Sequence, residues 1–71
     1  MRDWSNYAKG VLRSEMTKRQ ITYADLAVML SEDGVKETNA NLRNKVSRGS
    51  FTAAFLFQCL AAMKVTSLHL D

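Results

Sequence analysis

Apolar residues fall at Trp4, Tyr7, Ala8, Val11, Leu12 and Met16, positions related by three and four that draw one stripe along a helix. Asp3 stands ahead of the stripe as an N-cap, and Lys18 and Arg19 close it, where cations complement the helix dipole. Gly10 lies inside and costs on the order of 1 kcal/mol against alanine. It marks either a tolerated surface position or the close approach of a neighbouring helix. A second helix opens at Thr22, with Asp25 placed for a capping box and Ile21 and Leu26 for a hydrophobic staple. Ala24 and the run Leu26-Ala27-Val28-Met29-Leu30 make it short and largely buried, and Ser31-Glu32-Asp33-Gly34 ends it on a glycine stop. Val35 then stands alone in a polar turn, as a plug that sets the angle between two helices.

Thr38 caps a third helix that runs to about Ser47, and Arg48-Gly49 closes it. Its apolar face holds only Leu42 and Val46, while Ala40, Asn41, Arg43, Asn44 and Ser47 lie around the rest of the wheel. Ser50 or Thr52 caps a fourth helix, from Phe51 to Met63, which is apolar almost all round. Such a helix is buried on more than one side. Here it is either the central helix or packs one face on a second copy of the chain. The segment from Val65 to Asp71 alternates weakly and reads as a short edge strand, an extended tail or the start of a further helix. The pattern predicts an all-α fold of four to five short helices in one domain over 1–71. Its core is a helix-turn-helix over 22–48, with the fourth helix and tail over 50–71 as a dimerisation surface.

Composition narrows this. A chain of 71 residues can bury about 60% of its surface, enough for one small core. With no proline, three glycines and one cysteine, the chain suits neither a turn-rich β-sandwich nor a disulfide scaffold nor a Cys-only zinc site. No apolar run is longer than that from Ala53 to Phe57, which is too short to span a bilayer, and Arg2 is followed by Asp3 and Trp4 rather than a leader's apolar stretch. The expectation is a soluble cytoplasmic protein.

Charge points to a region. The net +3 lies wholly in residues 34–49, where Lys36, Arg43, Lys45 and Arg48 face only Glu37, whereas residues 1–33 and 50–71 each sum to zero. A local basic excess is the footprint of a polyanion-binding element. The buried second helix, the glycine turn and the polar third helix together follow a helix-turn-helix plan, in which the core holds the scaffold helix and frees the next for a DNA groove. Asn39, Asn41 and Asn44 crowd this helix although asparagine is a poor helix-interior residue. Asparagine amides pair bidentately with adenine. Asn39, Asn41, Arg43 and Asn44 are therefore assigned to base edges, and Lys36, Thr38, Lys45 and Arg48 to phosphates. The predicted partners are double-stranded DNA and a second copy of the chain joined through Phe57, Leu68 and Leu70, which exceed what one core needs. No cofactor, membrane or small-molecule substrate is implied.

The segment Thr22 to Leu30, then Gly34-Val35, then Leu42 and Val46-Ser47-Arg48-Gly49 resembles the phage-repressor (Cro/C1, or XRE) helix-turn-helix family. Phe55, Leu60, Ala61 and Met63-Lys64-Val65 resemble that family's next helix and turn, so the likeness covers roughly Thr22 to Leu68. The stretch from Asn41 to Ala53 is also similar to short, repressor-like bacterial proteins of uncharacterised function. The resemblance implies a small transcriptional regulator reading the major groove with the helix at 38–48. The chain departs from the family in its longer turn between Leu30 and Thr38, in Tyr23 where glutamine is common, and in the missing proline after Gly49. The longer turn shifts the third helix relative to the second.

Other chemistry is thinly represented. Cys59, His69 and Asp71 form the only nucleophile, base and acid trio, and Cys59 sits among apolar residues that make a thiol inert. The carboxylates show no paired spacing, the glycines form no phosphate loop, and Met16, Met29 and Met63 read as core filler. Trp4 is expected to anchor the first helix to the core, with a partner surface as its other reading. The rival function is a protein-interaction module on a repressor-like fold without DNA binding.

Overall fold

The computed structural model describes residues 3–70. It is all-α, with α1 (Trp4–Lys18), α2 (Tyr23–Glu32), α3 (Asn39–Arg48) and α4 (Ala53–Ala62), and no strand among the described residues. Residues 65–70 form neither strand nor helix, which sets aside the strand and helix readings of the tail for these residues, and Val65 and Leu68 pack back on the core.

Each helix begins on a side-chain cap. Asp3 accepts from the Asn6 N–H, Thr38 from the Asn41 N–H, and Thr52, not Ser50, from the Phe55 N–H. Thr22 and Asp25 make the reciprocal capping box. These bonds satisfy N–H groups that lack an intrahelical partner.

Three helix ends share one device. Gln20, Gly34 and Lys64 adopt positive φ of 55°, 83° and 63°. The following N–H then reaches back across the last turn: Ile21 to the Met16 carbonyl, Val35 to Leu30 and Val65 to Leu60, at 2.9–3.0 Å. Each of Ile21, Val35 and Val65 packs against the core, as a Schellman-type ending favours. Val35 was expected in this role; the other two repeat it.

Leu12, Leu26, Leu30, Leu42, Val46 and Cys59 are fully enclosed, with Met16, Phe55, Leu60, Ala62 and Met63 around them. The helices pack in a ring: α1 on α3, α3 on α2, α2 on α4 and α4 on α1. Gly10 is exposed with open space beside it, so no helix approaches there. The close approach falls at Gly49, where an added Cβ would meet the Ser5 carbonyl oxygen at 2.8 Å.

Trp4 corrects the sequence reading. It is 68% exposed and stands edge-on to Tyr7 at 5.7 Å. Full burial in α1 begins only at Leu12, so the first turn of the helix does not bring its outer flank to the core.

Candidate nucleic-acid interface

The core holds α3 through Leu42 and Val46 alone. At 100° per residue, Asn44 falls opposite that pair, with Ala40, Ser47 and Arg48 beside it. Asn44 and Arg48 are exposed, and the Arg48 Nε donates to the Asn44 carbonyl at 3.4 Å. Asn39 and Arg43 lie on one flank, in a cleft shared with Arg13, Thr17 and Tyr23. Asn41 lies on the other, in a groove with Lys36, Thr38 and Ser31. The four residues assigned to base edges therefore spread over most of the exposed circumference of α3 instead of forming one face. Thr38 keeps its oxygen on the Asn41 N–H at 3.1 Å while staying exposed.

Lys45 is engaged within the protein. Its ammonium pairs with Glu37 and lies 5.0 Å from the centre of the Phe55 ring. This ties the α2–α3 turn to α3 over the first turn of α4. A lysine so placed has its charge largely compensated, which weakens its assignment as a phosphate contact.

Four of the acidic groups are also engaged within the protein, whereas Glu32 and Asp33 stay exposed with no ion pair among the described residues. Asp3 and Asp25 cap their own helices. Glu15 is buried and held by Lys18 at 3.1 Å and by Arg19. The bond from Lys18 draws the Glu15 carboxyl below its ordinary range, burial opposes this, and Arg19 adds to the lowering. With Lys18 and Arg19 spent on Glu15, Lys9 and Arg13 have no carboxylate within ion-pair distance among the described residues, and neither have Lys36, Arg43 and Arg48.

The fold brings the first two beside α3. The Lys9 ammonium donates to the Ser47 carbonyl at 3.0 Å, and the Arg13 Nε donates to the Tyr23 hydroxyl at 3.4 Å. Counting charge along the chain hid both residues inside a balanced segment. Only the ion-pair pattern of the folded state separates them from Lys18 and Arg19. Tyr23 was equally hidden, since its hydroxyl gains meaning only next to Arg13.

The chain matches, over residues 4–68, the family described as a domain of unknown function, DUF6471. It belongs to that family. No curated protein and no solved structure matches it. The features above thus belong to a DUF6471 domain whose match covers all four helices.

The remaining candidates lie apart. Cys59 is fully enclosed, and its thiol is pushed up to about 12, first by burial and then by the Glu37 charge, with Lys45 opposing. His69 is exposed in a groove along α1 with Asp3, Asn6 and Ser14, and Asp71 lies outside the described residues. Among the described residues no three His, Cys, Asp or Glu side chains gather where they would hold a metal ion, and no helix is long and apolar enough to cross a membrane. Of the residues assigned to a dimer interface, Phe57 and Leu70 are exposed at 62% and 67%, whereas Leu68 is half-buried against its own core.

Proposed function

We propose that this DUF6471 domain is a sequence-specific double-stranded DNA-binding protein, a small cytoplasmic transcriptional regulator that reads the major groove with α3. One observation carries the reading: α3 spends only Leu42 and Val46 on the core and leaves Asn41, Arg43, Asn44 and Arg48 exposed, with both arginines unpaired to any carboxylate among the described residues. A helix held by so few contacts has its remaining surface available to a groove. The resemblance of Thr22 to Gly49 to phage-repressor helix-turn-helix proteins supports the same reading. Asn44 is its central base-edge residue, with Asn39, Asn41 and Arg43 on the flanks. Arg48, Lys36 and Thr38 are its phosphate contacts. A homodimer through Phe57 and Leu70 would present two copies of α3 to a two-fold site.

Fluorescence anisotropy with random-sequence duplex DNA at two salt concentrations tests this. Micromolar binding that weakens steeply with salt is the expected result. No binding at the lower salt removes the reading.

Exposed apolar side chains favour a second reading, a protein-interaction module: Trp4, Val28, Phe57 and Leu70 each present more than 60% of their surface. A tight complex with a protein, insensitive to salt, together with no duplex binding would select it.

A further inference from the structure

We propose that Arg13 of α1 and Arg43 of α3 grip a single backbone phosphate between them, with the Tyr23 hydroxyl as a third donor. This rests on the DNA-binding reading, moves Arg43 from a base edge to the backbone, and extends the contact to a helix outside the 22–48 segment. The site is the cleft of about 380 Å³ where the second half of α1, the start of α2 and the flank of α3 meet. Arg13 and Arg43 both line it, and no Asp or Glu does. Two cations converging without a counter-charge repel each other, and an anion between them relieves that repulsion.

The donors are arranged for an oxyanion. Tyr23 accepts from Arg13 at 3.4 Å, which steadies the guanidinium and leaves the phenolic proton to donate outward. Arg43 is exposed and lines the same cleft from α3. Met16 and Ile21 complete the lining, with the exposed polar side chains of Thr17, Thr22 and Asn39. A guanidinium fork suits a phosphate better than an ammonium does.

The test is the salt dependence of duplex binding by the full chain, followed by anisotropy. The Arg13→Gln/Arg43→Gln double variant is expected to lower the slope of log K against log salt by about 0.9 per bound protomer, the value for one phosphate. Each single variant should lower it by less, because the other arginine still neutralises the shared group. Tyr23→Phe should weaken binding by about threefold to tenfold through loss of one hydrogen bond. Arg13→Lys should restore the slope but not the full affinity. Lys64→Gln, on the turn after α4, removes a charge elsewhere and should leave the slope unchanged.

Losses of about 0.9 for each single variant and about 1.8 for the double would mean two separate phosphates and overturn the proposal. So would a double variant that melts like the parent and keeps the parent's slope; the DNA-binding reading would then survive. A parent chain that binds no duplex removes that reading and the shared phosphate with it.

Discussion

Gly49 combines two demands in one residue. Its φ of 70° is costly for a side chain with a Cβ, and the Ser5 carbonyl occupies the place a Cβ would take. Because that neighbour is backbone, it cannot swing aside. Gly49→Ala is therefore expected to lower stability by about 2–3 kcal/mol in urea denaturation, by strain and by prying α1 from the end of α3. The opposite change is available at Gln20 and Lys64, which adopt the same left-handed conformation with full side chains. Gln20→Gly and Lys64→Gly should each stabilise by about 0.5–1 kcal/mol, seen as a rise in Tm. Cys59 brings a pH dependence. Its folded thiol is pushed up to about 12 from an ordinary value of 9.0, so the folded state keeps its proton where the unfolded chain has lost it. Stability from this group is full below pH 9 and falls as the pH rises from there towards 12. Urea midpoints at pH 8 and pH 10.5 should differ less in Cys59→Ala than in the parent. Glu15 acts at the other end: its lowered carboxyl contributes stability that is present at neutral pH and is lost as the pH falls through the carboxylate range.

At the scale of elements, α3 rests on a narrow apolar face. Leu42 and Val46 are its only buried residues, and its asparagines disfavour helix by themselves. Leu42→Ala should cost about 3 kcal/mol and melt α3 before the rest, visible as early loss of amide protection in hydrogen exchange. Lys45 gives α3 a third hold, through Glu37 and the face of Phe55. Lys45→Ala leaves the Glu37 carboxylate nearly buried and unpaired and is expected to cost about 1–2 kcal/mol. It is consequently a poor probe of DNA contact, since folding and binding would fail together. Arg43→Ala and Arg48→Ala avoid this. Both residues are exposed and outside any ion pair among the described residues, so their removal should reduce duplex affinity and its salt slope while the thermal melt stays within about 0.5 kcal/mol of the parent.

For the whole molecule, the ring in which α1 packs on α3 and α4 on α2 decides where charge and apolar surface end up. It lays α1 along α3, so Lys9 meets Ser47 and Arg13 reaches the cleft of Arg43. The basic surface therefore extends beyond residues 34–49. On the opposite side, α4 carries no charged residue and leaves Phe57 exposed, with Leu70 exposed on the tail. If that face joins two copies, Phe57→Glu should convert a dimer to a monomer in sedimentation without changing the helical signal, because Phe57 is outside the core. A parent that sediments as a monomer at high micromolar concentration would exclude the dimer.

The helices, their caps and most of their core were legible in the sequence because these depend on neighbours a few positions away. Asp3, Thr22 and Thr38 cap where their spacing puts them, and Leu42 and Val46 face inward as their period requires. The candidate site was only partly legible. The basic excess of α3 was evident from its own residues, but the pairing of Lys18 and Arg19 with Glu15, the turning of Lys45 to Glu37, and the meeting of Arg13, Tyr23 and Arg43 were not. Trp4 belongs with these: its place on the apolar stripe was set by local period, and its exposure by where the first turn of α1 lies relative to the core. Period and capping are local, so the sequence by itself determined the four helices, with a fifth left open in the tail, and the inward face of α3. Which charges cancel and which remain depends on distances between helices, and only the tertiary structure decided that.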